Sequence, residues 1–524
     1  MSDQLPAVLV LAPLFGALLV TLVGWKDHRV CFPITATTLF VTLLTAIAAA
    51  YQVFTTGTID YFVGGWEEPI GIGIHLRIDA LNALLLVAIA IVAFLVSFFS
   101  IRRIGEKNAE KTPYFYSLFL MLCLGLFGIT IAGDAFNLFV LVEVSSLTSY
   151  GLIAMGSSRR GTLAAFNYVL MGTVGASFYL IGVGYLYLKT GTLNMQEIHT
   201  IMGANPEIAA SKAVSIAFLF ILIGIWIKMA FFPLHGWLPN AYSYCPSSSA
   251  CLLAPLMTKI SVYVMIRVML SVFGYDWVFL SPGWSNLVVW LAVIAILVGS
   301  ILALAQRELK KMLCYLIVAE VGYMVGGAWL ADKELWGLTG SLYHILADAM
   351  MTLCLFLAAG IFAKRFRARE ISDLEGMFRR APVVSIGFVV GALAMIGVPP
   401  TAGFFSKFYL IRGGMDAGHW EFVVALLISS LVNAVLFFRI FEIAFFGNKP
   451  AEGHGHEEGD GHEDEADLPL SKNPPTSAPP AWAGIFPLLT SAALILLLGI
   501  FNGEIVGFIR VFLESLPHLA SHLQ

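Results

Sequence analysis

The chain has 524 residues, of which 59% are hydrophobic and only 12% charged, and its mean hydropathy is +0.85. A water-exposed globular surface cannot be built over most of that length, so lipid is the solvent to reason with. A formal net charge of -4 leaves no basic footprint for nucleic acid, and the six scattered cysteines lack the C-x-x-C spacing of zinc, iron–sulfur or redox sites.

The first apolar run, Leu5 to Val23, is longer than a signal-peptide core and is expected to stay as a membrane helix. Runs of roughly 20 residues, enough to span about 30 Å of hydrocarbon, then recur. They lie near 31–54, 80–101, 114–132, 135–155, 162–188, 213–232, 249–272, 286–305, 312–331, 336–362, 383–411, 420–446 and 483–501. The expected fold is therefore an all-α polytopic membrane protein of about fourteen helices. On alternate loops, one side holds 17 Lys/Arg, among them Lys26, Arg102, Arg103, Lys107, Arg159, Lys310 and the stretch from Lys364 to Arg380. The other side holds five: Arg77, Lys189, Lys212, Lys333 and Arg412. That asymmetry predicts cytoplasmic basic loops and both termini outside; the expected location is a bacterial or archaeal cell membrane.

Two of the runs are broken by proline in corresponding ways: Pro233 follows Lys228 in the seventh, and Pro399-Pro400 precedes Lys407 in the twelfth. Each half also has an earlier helix with a lone glutamate, Glu143 and Glu320. Helices four to eight (113–272) and nine to thirteen (273–447) thus read as two five-helix repeats, inverted because the number per repeat is odd. Residues 1–112 supply three leading helices. Residues 448–482 form a polar His/Glu/Pro-rich cytoplasmic linker, and 483–524 a last helix with an amphipathic end. His454, His456 and His462 in the linker could bind transition metals weakly, but a solvated, disordered segment is the expected reading.

A charge at mid-membrane costs about 2.5–3.5 kcal/mol on insertion scales, which makes each one a functional candidate. Glu143 and Lys228 are expected deep in the hydrocarbon as partners, and moving one away from the other would change protonation. Lys259 falls midway along the eighth helix. Arg267, two turns on, is expected to be structural and to snorkel. His344, Asp348 and Thr352 are spaced four apart, a polar stripe on one face of the eleventh helix suited to a proton relay. Lys407 lies just past the Pro399-Pro400 break, where freed carbonyls meet a cation. Arg439 and Glu442, near the inner end of the thirteenth helix, are candidates for an exit or an anchor. No Walker loop, dinucleotide fingerprint, zinc spacing or nucleophile elbow is present, so no cofactor, resident metal or covalent catalysis is expected of this chain.

Four segments carry a resemblance: Gly133-Asp134-Ala-Phe-Asn-Leu-Phe-Val-Leu-Val-Glu143, Lys228-Met-Ala-Phe-Phe-Pro-Leu-His-Gly-Trp-Leu-Pro-Asn240, Thr258-Lys259-Ile-Ser-Val-Tyr-Val-Met-Ile-Arg267 and Pro399-Pro-Thr-Ala-Gly-Phe-Phe-Ser-Lys407. With them the chain resembles the antiporter-like subunits shared by respiratory complex I, membrane-bound hydrogenases and Mrp-type multisubunit antiporters, most closely the Mrp D subunit. The resemblance implies inverted repeats, a Glu143–Lys228 pair and a midplane chain through Lys259 and the eleventh helix to Lys407. It also implies partner membrane subunits, with protons and Na+ as the transported ions. Two positions depart from the pattern: Thr352 stands where many relatives have lysine, and Asp348 where they have a second histidine. Monovalent cation/proton antiport is the first functional expectation. The alternatives are a proton-pumping arm of a quinone- or hydrogenase-linked redox complex, and an accessory or scaffold protein, for example of a carbon-uptake assembly.

Overall fold

The computed structural model describes residues 4–66, 73–101, 110–156, 159–279, 282–446 and 482–515. The loop with Arg102, Arg103 and Lys107 and the histidine-rich linker lie outside them. Among the described residues, thirteen helices are long and apolar enough to cross a membrane. The first six are α1 (Leu5–Gly24), α2 (Cys31–Thr56), α3 (Ala80–Ser100), α4 (Thr112–Ile131), α5 (Ala135–Ala154) and α6 (Arg159–Thr190). Short helices α7 (Met195–Ala204) and α8 (Pro206–Ala209) lead into α9 (Lys212–Met229), α10 (Leu238–Tyr244) and α11 (Ser247–Val268). After α12 (Tyr275–Phe279) come α13 (Pro282–Leu304), α14 (Leu309–Ala328) and α15 (Trp336–Phe366). The chain continues through α16 (Met377–Arg380), α17 (Pro382–Ile396), α18 (Ala402–Asp416), α19 (Trp420–Phe446), α20 (Trp482–Ile500) and α21 (Asn502–Ser515).

The expected twelfth span is the one missing from the thirteen. It is split into α17 and α18, each 15 residues, because Pro399-Pro400 supplies no N–H to continue the ladder. The seventh is split in the same manner: α9 stops at Met229, Ala230 turns left-handed (φ 57°), and Pro233 lies in the gap before α10. Trp237 fastens this gap by donating its indole N–H to the Ile227 carbonyl at 3.0 Å. Both breaks therefore leave helix-end carbonyls inside the bundle, next to Lys228 and Lys407.

Helix starts follow local chemistry. Asp79 and Asn82 form a capping box on α3, and Asp134 caps α5 by accepting the Asn137 N–H at 2.6 Å, each satisfying orphan donors of a first turn. The helices pack through small residues. A Cβ on Gly224 of α9 would lie 2.6 Å from the Gly175 carbonyl of α6, so only glycine permits that approach. Burial rises inward from α1 and α2 to α11, α14 and α15, and the whole apolar stretch of α15 is buried. The polar residues discussed below ride mainly on these three helices.

A two-stranded hairpin, β1 (Ile59–Phe62) and β2 (His75–Ile78), sits before α3 in the register Ile59↔Ile78 to Phe62↔His75. Hydropathy windows did not anticipate it. Arg267 differs from expectation too: it does not snorkel. Its guanidinium is buried and forked on Asp79, at 2.6 and 2.9 Å, with Nε donating to the Tyr263 hydroxyl at 3.0 Å. Phe512 of the amphipathic α21 lies over it at 5.3 Å. A carboxylate at the α3 cap was available inside the fold, and a bidentate pair outcompetes a longer reach to the interface.

Candidate functional site

Lys228, in the last turn of α9, donates to Glu143 Oε1 of α5 at 2.8 Å and to Ser146 Oγ, one turn further along α5, at 2.8 Å. Its side chain is 8% exposed, whereas that of Glu143 is 25% exposed on the flank of the bundle. On the far side of α11, Lys259 pairs with Asp348 of α15 at 2.9 Å, and both are buried. Thr352 completes this unit: it donates to Asp348 Oδ1 at 2.7 Å and accepts from Lys259 at 3.3 Å. The lysine also reaches the Ala254 carbonyl at 3.1 Å. Asp348 thus neutralises Lys259, a role that the one-face stripe of α15 did not reveal.

One turn along α15, His344 hydrogen-bonds Glu320 of α14, Nε2 to Oε2 at 2.6 Å, and its Nδ1 meets Ser406 Oγ of α18 at 2.8 Å. One ligand atom each from Glu320, His344 and Asp348 lies within 4.8 Å of the others, so the second and third units are contiguous. Lys407 follows on α18. It donates to the Met395 carbonyl at 2.7 Å, the Ile396 carbonyl at 3.4 Å and Ser430 Oγ at 3.2 Å, the helix-end acceptors that the broken twelfth span exposes. Its ammonium sits 5.2 Å from the centre of the Tyr323 ring, whose edge contact with His344 (5.7 Å) joins Lys407 to the histidine.

A cavity opens beside Lys228 against the face of α11 opposite Lys259. Its wall is mostly apolar, with Lys228, Ser145, Ser146, Tyr179 and Ser261 as its polar members. The chain of groups runs from α5 through α9, α11, α15 and α14 to α18. Three lysines (Lys228, Lys259, Lys407) and three acidic residues (Glu143, Asp348, Glu320) give the set a formal charge of zero with His344 uncharged; two of the lysines are paired with carboxylates and Lys407 is held by carbonyls. Glu320, His344 and Asp348 have the donor types and spacing to hold a metal ion. Both nitrogens of His344 are already engaged and Asp348 is held by Lys259, so the donor set is better suited to passing protons.

Two of the expected residues stand apart. Arg439 and Glu442 are exposed, because α19 turns its Ser429, Asn433 and Phe437 face inward and these two fall on the opposite side. A cluster that sequence reasoning overlooked lies at the hairpin. His75, buried, bonds Asp60 at 2.8 Å and Asn194 at 3.2 Å, and stacks on Phe62 at 4.4 Å. Asp134 beside it accepts the His75 N–H at 3.4 Å. The Gly133-Asp134 pair in the first quoted motif was the available signal.

Burial pushes the Asp134 carboxyl up to about 6. A raised acid favours the folded state below its ordinary range, near 4, and that contribution is lost as pH rises through about 6. Asp134→Asn keeps the cap acceptor without the charge. Its thermal midpoint should match the wild type below about pH 4 and exceed it at pH 8, by the equivalent of up to about 3 kcal/mol. Scanning fluorimetry of the purified complex checks this; equal midpoints at pH 8 would show that the carboxylate is not strained there.

With this geometry established, comparison with known proteins is decisive. The profile described as "NADH:quinone oxidoreductase/Mrp antiporter, TM" matches residues 132–433, which contain every unit of the chain from Glu143 to Lys407. The protein belongs to this family. It is 38% identical to the N subunit of NADH-quinone oxidoreductase from Desulforudis audaxviator (strain MP104C), over 99% of both chains. It is 30% identical to the D subunit of the Na(+)/H(+) antiporter from Bacillus subtilis (strain 168), over 76% of this chain and 78% of the relative. Among solved structures, a chain of the Mrp complex from Dietzia sp. DQ12-45-1b superposes with a TM-score of 0.83 at 25% identity, covering 100% of this chain and 99% of that one. The chain is thus a membrane subunit of the Mrp and complex I-like class, whose structural neighbours work inside multisubunit assemblies.

Proposed function

We propose that this chain is a proton-translocating subunit of a multisubunit membrane complex, and that its buried chain of ammonium, carboxylate and imidazole groups is the conduit. The observation that carries the reading is the contiguity of Lys259, Asp348, His344 and Glu320, with Glu143–Lys228 at one end and Lys407 at the other. Opening the Glu143–Lys228 pair leaves an ammonium without its counter-charge in a low-dielectric interior, and its proton passes more readily to the next acceptor. In this reading Glu143, Lys228, Lys259, Asp348, His344, Glu320 and Lys407 carry protons, Thr352 positions Asp348, and Pro233, Pro399 and Pro400 hold open the helix ends. The two five-helix units, 113–272 and 273–447, each contribute one broken helix.

Coupling to Na+ as an antiporter follows the likeness to the Bacillus subtilis antiporter chain. The site supports protons in preference to a dehydrated Na+, because no cage of oxygens free of lysine and histidine is present along the chain among the described residues; Na+ would cross elsewhere in the assembly. A redox-coupled proton pump is the second reading, favoured by the 38% identity to the NADH-quinone oxidoreductase relative across nearly the whole chain. Everted vesicles separate the two. An antiporter dissipates a preformed pH gradient when Na+ is added, and loses that response when this chain is deleted. A redox pump ignores Na+ and instead loses donor-driven acidification.

We place the termini outside and the basic loops in the cytoplasm. Cysteine introduced at Ser372, exposed between α15 and α16, should resist impermeant maleimide added to intact cells; efficient labelling would reverse the orientation.

A further inference from the structure

Lys228 of the Glu143–Lys228 pair is buried inside the bundle, and the conduit needs a way in from the end that carries the basic loops. Three tyrosines lie between: Tyr242 on α10, Tyr168 on α6 and Tyr150 on α5. All three hydroxyls are buried without a hydrogen-bond partner among the described residues. A buried, unsatisfied hydroxyl carries a desolvation cost that a phenyl ring does not, so three phenylalanines would pack here at lower cost.

Their placement is consecutive. Tyr244, two residues after Tyr242, is half-buried and has Arg160 of α6 over its ring at 6.0 Å, which marks the basic-loop end. Tyr242 meets Trp237 edge-on at 5.9 Å, Trp237 stacks on Tyr168 at 3.9 Å, and Tyr168 meets Tyr150 edge-on at 4.6 Å. Tyr168 is within electrostatic reach of both other tyrosines and of Glu143, and Tyr150 faces Glu143 and Ser146. At the upper end, Gly172 shows how close the approach is. A Cβ built there would lie 1.8 Å from the Tyr150 hydroxyl and 3.6 Å from Lys228 Nζ, so the hydroxyl and the ammonium are within reach of one bridging water.

We propose that Tyr242, Tyr168 and Tyr150 form the proton-entry ladder to the Glu143–Lys228 pair, with waters linking hydroxyl to hydroxyl. Each hydroxyl accepts a proton on a lone pair as it releases its own to the next acceptor, then rotates to reset, so no phenolate forms and no charge is left behind. Buried waters are held by otherwise unsatisfied polar groups of this kind. The ladder deepens the proton-translocation reading and rests on it.

Tyr→Phe exchange tests it, because the ring and its stacking on Trp237 survive while only the hydroxyl goes. Tyr168→Phe and Tyr242→Phe, assembled in everted vesicles at wild-type abundance, should slow proton movement roughly tenfold to a hundredfold, toward the loss expected for a positioned proton-transfer group. The residual rate should show a larger slowing in D2O than the wild type, which a packing role would not produce. Wild-type rates in both variants overturn the ladder. Glu143→Gln run in parallel separates the failures: if it is inactive while both Phe variants are active, only the ladder falls, and if it is active too, the proton switch falls with it. Should Tyr168→Phe fail to assemble, Tyr242→Phe decides alone.

Discussion

Glu143→Gln is expected to assemble with normal abundance and to reduce translocation to the leak of vesicles lacking the complex. Glutamine keeps the size and one acceptor for Lys228, so a purely structural contact at 2.8 Å would survive, whereas a group that must titrate cannot. Lys228→Ala should have the same effect. The exchange Glu143→Lys with Lys228→Glu discriminates further. An ion pair that merely holds two helices together tolerates reversal, but a directional relay does not, because the ammonium would move to α5, on the flank, and the carboxylate to the cavity wall facing α11. Quenching of a pH-sensitive dye in everted vesicles measures all three; near-wild-type rates for Glu143→Gln would make the pair structural.

The second large effect belongs to Lys259 and Asp348. Both are within 1% of full burial, so removing one leaves the other charged and unpaired in the driest part of the bundle. Lys259→Ala or Asp348→Leu alone should destabilise the chain by about 3–5 kcal/mol and lower its abundance in the membrane. The apolar pair Lys259→Met with Asp348→Leu removes both charges and should recover most of that stability, since replacing a whole buried ion pair is often neutral or stabilising. Thermal unfolding of the purified complex reads the difference. If the double variant is as unstable as either single one, the pair is not the reason for the loss.

How much of this was legible in the sequence depends on the range of the interaction. Span limits were readable because lipid demands about 20 apolar residues per crossing, and they recur nearly unchanged in α1 to α6, α13 to α15, α19 and α20. The breaks were readable because proline acts within one turn. The Glu143–Lys228 contact was anticipated from two opposite charges at similar depth. Pairings between distant helices were not: nothing local to Asp348 says that its partner is Lys259, or that Glu320 takes His344 rather than Lys407. The departure at Thr352 was a clue in hindsight, since an aspartate with no cation on its own helix face must find one on another. The buried pairing of Arg267 was not legible, because depth along a helix says nothing of a carboxylate at the cap of α3. The hairpin was invisible to windows of membrane length, as each of its strands has only four residues. Arg439 and Glu442 had the right composition and depth, but which side of α19 faces the core is decided by its packing.

The central claim is that protons pass through one continuous chain that joins the two halves of the protein. The most direct test is proton flux into proteoliposomes that contain the purified complex with the Lys259→Met/Asp348→Leu chain. This variant leaves the Glu143–Lys228 pair and the Lys407 site unaltered and cuts only the middle. The account predicts no flux above that of protein-free liposomes, with the complex intact by size-exclusion chromatography. Flux near the wild-type rate would contradict it and show that protons do not travel through the centre of this chain.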